Sequence, residues 1–237
     1  MPKYVLNNNV DIWQLNISQT KSHYDYFYNL LSKDEKLKVE RFKFKKDRIT
    51  STLARGVLRL LLSKYLNCPT DAIIFKYGKY GKPELVNNKT AKFNVSHAGE
   101  FVVMALSENT EVGVDIEQIR YDFNIFNIVN NYFSKTEIEA LHKLPRATQT
   151  EAFFRGWTRK EAFIKAKSQG LSFPLDSFSV SIDSDIKAEL IETLWDKSEK
   201  SLWQIVPFET AANYKAALAV KGQINTIEYF KYSLDFI

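Results

Sequence analysis

Two short stretches carry residues able to do chemistry together. In Trp157-Thr158-Arg159-Lys160-Glu161-Ala162-Phe163-Ile164-Lys165 a carboxylate precedes an ammonium by four residues. At 3.6 residues per turn, Trp157, Glu161 and Lys165 fall along one face of a helix and Lys160 points elsewhere. The same Glu–Lys spacing is also the ordinary stabilising pair of a solvated helix. The second stretch, Gly113-Val114-Asp115-Ile116-Glu117, reads as a short strand on which Asp115 and Glu117 face one side and Ile116 faces the core. Two carboxylates on one side of a strand repel each other unless a cation lies between them, so they form either a solvated strand end or half of a metal site. Cys68 is the single cysteine and His23, His97 and His142 are scattered, which argues against zinc and leaves hard oxygen ligands suited to Mg²⁺. With the helix packed beside the strand, Glu161 completes a set of carboxylates around a metal that grips a diphosphate. Lys165 then neutralises charge on a leaving phosphate, and one carboxylate deprotonates the attacking hydroxyl, as in phosphoryl-type transfer. A metal-dependent nuclease on a basic scaffold uses the same residue types and stays open on these residues alone.

The elements that must position these groups are legible as an α+β pattern. Residues 10–15 alternate weakly as a first strand, and 18–31 reads as a helix. Ser32-Lys33-Asp34-Glu35 is a capping box that opens another helix, within a segment from 33 to 46 rich in lysine and arginine. A long helix is predicted over 47–66, with Ile49, Leu53, Val57, Leu60 and Leu61 as its apolar stripe. Arg48, Thr52, Arg55 and Arg59 form a second stripe, either solvated or an anion site. Strands follow at 73–77, 92–96 and 101–106, with His97-Ala98-Gly99-Glu100 as a hairpin loop, then at 112–117. The second half repeats the order: a helix opened by Ser134-Lys135-Thr136-Glu137 and stopped by Pro145, a long helix over 148–168 with Gly170 as its C-cap, and strands at 177–182, 202–206 and 214–220. Two α+β subdomains are expected, residues 1–112 and 113–237, joined without a flexible linker.

Composition bounds the partners. The 237 residues are 45% apolar and 26% charged, a globular balance, and the net charge of +5 favours anionic partners without choosing among them. No P-loop or Rossmann glycine motif occurs. The N-terminal stretch has no signal-peptide pattern, and the densest apolar run, 57–66, is too short to span a bilayer, so a cytoplasmic protein without membrane segments is expected.

The Gly113-Val114-Asp115-Ile116-Glu117 stretch, followed by Phe154-Arg155-Gly156-Trp157-Thr158-Arg159-Lys160-Glu161-Ala162-Phe163-Ile164-Lys165, resembles the paired signature of the 4′-phosphopantetheinyl transferases. It is most similar to the monomeric Sfp-type branch, which activates nonribosomal peptide, polyketide and fatty acid synthases. Tyr80-Gly81-Lys82-Pro83, Phe93-Asn94-Val95-Ser96-His97 and Gly170-Leu171-Ser172-Phe173-Pro174-Leu175-Asp176-Ser177-Phe178 resemble further blocks of that branch, in the same order. The resemblance implies two similar α+β halves related by a pseudo-twofold, with coenzyme A in the cleft between them. It implies a holo-[acyl-carrier-protein] synthase activity: transfer of 4′-phosphopantetheine from coenzyme A to a serine of an apo acyl or peptidyl carrier protein, dependent on Mg²⁺ and releasing 3′,5′-ADP. It implies that Asp115, Glu117 and Glu161 bind Mg²⁺ and that Glu161 acts as, or positions, the base. Lys165 contacts coenzyme A phosphates and assists the leaving group, and Lys82, Ser96 and His97 hold the 3′-phosphate. The branch has a basic side chain near the start of its long N-terminal helix, where this chain has Thr50. Arg48 is the better substitute, with Arg55 the alternative, and Glu35 stands where the branch has a lysine. Trp157 is expected to anchor its helix by packing. The implied partners are coenzyme A and acidic carrier proteins, with no nucleic acid, and the carrier is received near Tyr121, Phe123, Ile125, Phe126 and Ile128 unless these are core. A non-catalytic carrier-protein binder on the same fold is the remaining alternative.

Overall fold

The computed structural model describes residue 6 and residues 8–234; the stretch 1–5 and Asn7, read above for a leader pattern, lie outside the described residues. In chain order the elements are β1 (Val10–Asn16), α1 (Ile17–Thr20), α2 (Tyr24–Leu30), α3 (Lys33–Glu40), α4 (Lys45–Leu66), β2 (Phe75–Tyr77), β3 (Pro83–Leu85), β4 (Ala91–Ala98), β5 (Phe101–Glu108) and β6 (Val112–Gln118). Then come α5 (Phe126–Tyr132), α6 (Lys135–Lys143), α7 (Arg146–Ala166), β7 (Phe178–Val180), β8 (Leu190–Thr193), β9 (Trp203–Pro207), β10 (Tyr214–Lys221) and β11 (Ile227–Lys231). The α+β class stands. The helix expected over 18–31 is broken into α1, a 3₁₀ turn at Lys21–His23, and α2. Thr20 Oγ1 donates back to the Asn16 carbonyl at 2.9 Å, the kind of local bond that bends or interrupts a helix.

Alternation along the strands sorts side chains into layers. In β1, Trp13 and Leu15 join a core with Leu53, Val57 and Leu61 of α4, while Val10 and Ile12 face the opposite way. There they meet Val112, Val114 and Ile116 of β6 and Ala216, Leu218 and Val220 of β10. The other face of β10, Ala217 and Ala219, packs on Ala162, Phe163 and Ala166 of α7. The molecule is thus built as α4 on a sheet of order β11-β1-β5-β4, and a sheet of order β6-β10-β9 under α7, with two-stranded β2-β3 and β7-β8 ribbons beside them. The expected boundary after residue 112 falls at the first residues of β6. The division is not complete, because β11 returns to pair in parallel with β1 in the first sheet. No helix among the described residues is long and apolar enough to cross a membrane.

The contact that matters for the site is α7 on β6. A Cβ at Gly113 would lie 2.1 Å from the Ala162 carbonyl oxygen and 2.3 Å from the Ala166 nitrogen, so only glycine lets the strand pass under the helix. Both obstacles are backbone and cannot rotate away. Gly113→Ala is expected to cost about 2–3 kcal/mol, the upper part of the range for overpacking. Thermal unfolding against wild type measures it; a melting point unchanged by Gly113→Ala contradicts this packing.

Candidate active site

β6 carries Asp115 into the interior beside Ser96 of β4. The two strands meet edge to edge: the Val114 N–H donates to Asn94 Oδ1 at 2.9 Å, and Ser96 Oγ donates to Asp115 Oδ1 at 2.7 Å. From α7, Lys165 Nζ donates to the same Asp115 oxygen at 2.6 Å and to Ser96 Oγ at 3.0 Å. Asp115 is 3% exposed, and its second oxygen, Oδ2, is buried with no hydrogen-bond partner among the described residues. A carboxylate oxygen left in this state is costly unless something cationic or protic comes to it.

Glu117 and Glu161 complete the acidic cluster. Burial pushes the Glu161 carboxyl up to about 7, with Asp115 adding to the rise and Lys165 opposing it. Burial likewise pushes Glu117 up to about 7, reinforced by Asp115 and then opposed by Lys165. These groups repel one another through a poorly solvated space, which is the electrostatic signature of a site waiting for positive charge. Among the described residues no three His, Cys, Asp or Glu side chains are already gathered about one point as a ready-made ion site. The donor set still suits Mg²⁺, which takes one or two carboxylates and completes its shell with water and phosphate oxygens. Asp115 Oδ2 is the oxygen the structure leaves free for it.

A groove of about 620 Å³ leads to Glu117. One wall is α4, contributing Asp47, Thr50, Ser51, Ala54, Arg55 and Leu58; Lys38, Lys46, His97 and Arg120 add basic side chains. Although His97 is exposed at the surface, the groove walls desolvate it and hold its imidazole below the ordinary range, with Lys165 adding to the effect. It stands within β4, not in a loop: the turn is made by Gly99, at φ +54°, and Glu100.

Arg48, Ser96, Lys82 and Lys165 do not line the groove. Arg48 is exposed and does not line the groove, whereas Arg55 does. Seven residues apart, Arg48 and Arg55 lie about 20° from each other around the helix, so their position along α4 and not its phase separates them. Ser96 spends its hydroxyl on Asp115 and is buried, and it does not face the groove. Lys82 also turns away, its ammonium bound to the carbonyls of Val112 at 3.0 Å and Lys165 at 2.9 Å. Lys165 pairs with Asp115 across the fold and not with Glu161 along its own helix. The arginine stripe of α4 is partly neutralised: Arg59 Nε donates to Glu35 at 2.7 Å, and Arg55 Nε lies 3.5 Å from the same carboxylate.

Of Tyr121, Phe123, Ile125, Phe126 and Ile128, Tyr121 is the exposed ring, at 66%. Ile125 is core, and Phe123, Phe126 and Ile128 pack against it. Trp157 packs between the two clusters around α7, as expected of an anchor. Sequence reasoning gave no role to Asn94, Arg120 or Lys160. Asn94 sat unremarked inside a recognised block, and nothing local distinguishes Arg120 from a solvated arginine.

Comparison with known proteins agrees with the motif blocks. A family model for the N-terminal part of 4′-phosphopantetheinyl transferases matches residues 13–109, and the 4′-phosphopantetheinyl transferase superfamily model matches residues 111–219. The chain is 30% identical over 223 residues to the 4′-phosphopantetheinyl transferase HetI of Nostoc sp., covering 92% of this chain and 90% of that protein. It is 32% identical over 194 residues to the 4′-phosphopantetheinyl transferase Sfp of Bacillus subtilis, covering 81% and 83%. It is 30% identical over 204 residues to the L-aminoadipate-semialdehyde dehydrogenase-phosphopantetheinyl transferase of Mus musculus, covering 79% and 66%. The chain belongs to the 4′-phosphopantetheinyl transferase superfamily and is an enzyme of that class.

Proposed function

We propose that the enzyme transfers 4′-phosphopantetheine from coenzyme A to a serine hydroxyl of an apo acyl or peptidyl carrier protein, with Mg²⁺, releasing 3′,5′-ADP. The observation that carries this reading is a groove bearing basic side chains that reaches Glu117, whose neighbours are the buried Asp115 and Glu161 and the ammonium of Lys165. Coenzyme A is an elongated polyanion, and Lys38, Lys46, Arg55, His97 and Arg120 suit its adenosine-phosphate end. Asp115, Glu117 and Glu161 would hold Mg²⁺, which when bound neutralises charge on the diphosphate.

The serine oxygen attacks the phosphorus next to pantetheine. A new P–O bond to serine forms as the bond to the bridging diphosphate oxygen breaks, and 3′,5′-ADP carries away that electron pair. Glu161, or a water it positions, is suited to receive the serine proton. Lys165 is placed to offset charge building on the departing phosphate while Asp115 and Ser96 hold its ammonium in place. The basic groove also suits acidic carrier domains, and Tyr121 offers an exposed ring for one to contact.

Mass spectrometry of a panel of apo carrier proteins incubated with enzyme, coenzyme A and Mg²⁺ tests the proposal. One carrier should gain the mass of a single phosphopantetheine on one serine, and chelation of Mg²⁺ should abolish the gain. Modification that persists undiminished without divalent metal removes the metal from the proposal; release of nucleotide without carrier modification overturns the transfer itself.

A further inference from the structure

We propose that Lys82 is a positioning residue that holds the end of α7 on the start of β6, and so fixes Lys165, without itself touching the substrate. The inference rests on the function proposed above. Lys82 comes from the turn between β2 and β3, and that turn is closed by its own backbone bonds. The Gly81 N–H donates to the Gly78 carbonyl at 2.9 Å, and the Gly78 N–H donates to the Lys82 carbonyl at 3.0 Å. Gly81 takes φ +83°, a value a side chain would resist, so the turn delivers Lys82 with little freedom.

From there the ammonium reaches across to the second half of the chain. It lies 3.0 Å from the Val112 carbonyl, 2.9 Å from that of Lys165 and 3.5 Å from that of Ala166. The carbonyls of a last helical turn have spare acceptor capacity, that of Lys165 taking only the Ser168 N–H at 3.2 Å besides Lys82 and a weaker contact from the capping Lys167 N–H, and a cation there is favoured by the helix dipole. The Lys82 side chain is only 12% exposed, and Glu111, 3.8 Å away, balances its charge. It lines a small separate depression with Lys92, Glu111 and Ser168, and not the groove that holds His97. The crossing it clamps is the one where Gly113 runs directly under Ala162 and Ala166. Lys165 is therefore gripped at both ends: its carbonyl by Lys82, its ammonium by Asp115 and Ser96. Loosening the first grip moves the base of the side chain whose tip must meet the leaving phosphate. Misplacement of a catalytic group by about 1 Å is enough to cost up to about a hundredfold in rate.

The test separates positioning from phosphate binding by using two donors, coenzyme A and 3′-dephospho-coenzyme A, with Lys82→Met and Lys82→Arg. Lys82→Arg keeps charge and reach, so it preserves the clamp's fold should Lys82→Met not. Positioning predicts that Lys82→Met lowers kcat about tenfold or more for both donors and that Lys82→Arg recovers part of the loss, with the ratio of the donors' kcat/KM values unchanged from wild type in each. A variant that raises KM for coenzyme A alone, leaving 3′-dephospho-coenzyme A as in wild type, makes Lys82 a phosphate ligand and overturns the proposal. Wild-type rates with both donors and both variants overturn it too. Failure of the wild-type enzyme to modify any carrier from coenzyme A would instead strike at the proposed function, which the wild-type control reads separately.

Discussion

Glu161→Gln is expected to lower turnover by about 10²- to 10⁴-fold, the range for loss of a general base, while making the ligand-free protein more stable at pH 8. The two effects have one cause. Glu161 is 7% exposed beside Asp115, and burial together with that neighbour raises its carboxyl from 4.5 to about 7. Because the folded value is raised, its contribution to stability is fully present below pH 4.5, where both states are protonated. That contribution is lost as pH rises through about 7, because the unfolded chain ionises freely and the folded one resists. Glutamine removes the resisting group, so wild type and variant should match near pH 4, diverge as pH rises from about 4.5 to about 7, and stay apart by a constant amount above that. The gain at pH 8 should be about 1–3 kcal/mol, the raised value converted at about 1.4 kcal/mol per unit and reduced for relaxation. Adding Mg²⁺ should narrow the gap, since an ion bound by the folded state stabilises wild type by mass action. Urea unfolding at pH 5 and pH 8, with and without Mg²⁺, together with single-turnover kinetics, provides the measurement. A variant with near-wild-type turnover, or one equally displaced in stability at both pH values, contradicts the role given to Glu161.

The second large effect lies one residue away. Lys160 is wholly buried, with its ammonium 2.7 and 2.6 Å from the two Glu137 oxygens and 2.7 Å from the Phe178 carbonyl. Glu137 also accepts the Ser134 N–H that closes the capping box of α6 and the Val180 N–H of β7, each at 2.8 Å. One ion pair thus ties α6, α7 and β7 together directly behind Glu161. Lys160→Met leaves the carboxylate buried without its counter-charge and should cost about 3–5 kcal/mol. Lys160→Met combined with Glu137→Gln should cost less than Lys160→Met alone, because the amide can still accept the Val180 N–H and no charge remains. Additive losses in the double variant would mean that the charge pair is not the coupling.

Much of this was legible locally. Ser32 with Glu35 and Ser134 with Glu137 form the predicted capping boxes, because that motif is complete within four residues. The periodicity of α4 and α7 and the alternation of β1, β5, β6 and β10 set those elements to within a few residues of their observed limits. The short β3 and the late β8 and β11 were not foreseen, since each draws its order from a partner strand and not from its own pattern. The end of α7 shows the same limit: Ser168, at φ +57°, takes the left-handed position that glycine would favour, ahead of Gly170.

The acidic strand and the Glu–Lys helix marked a candidate site in the sequence, and only the further motif blocks in the same order narrowed it to one family. Tertiary structure decided which charge serves which. A helix face computed from 3.6 residues per turn says that Lys160 and Glu161 diverge, but α7 is enclosed on several sides, so both are buried and only packing gives each its partner. Lys165 meets Asp115, Lys82 meets the carbonyls at the end of α7, and Arg55 and Arg59 meet Glu35, each across a separation in sequence that no local pattern encodes. Residue types and spacing fixed the inventory of charges; the free energy of burying them, which demands a partner for each, fixed the pairing.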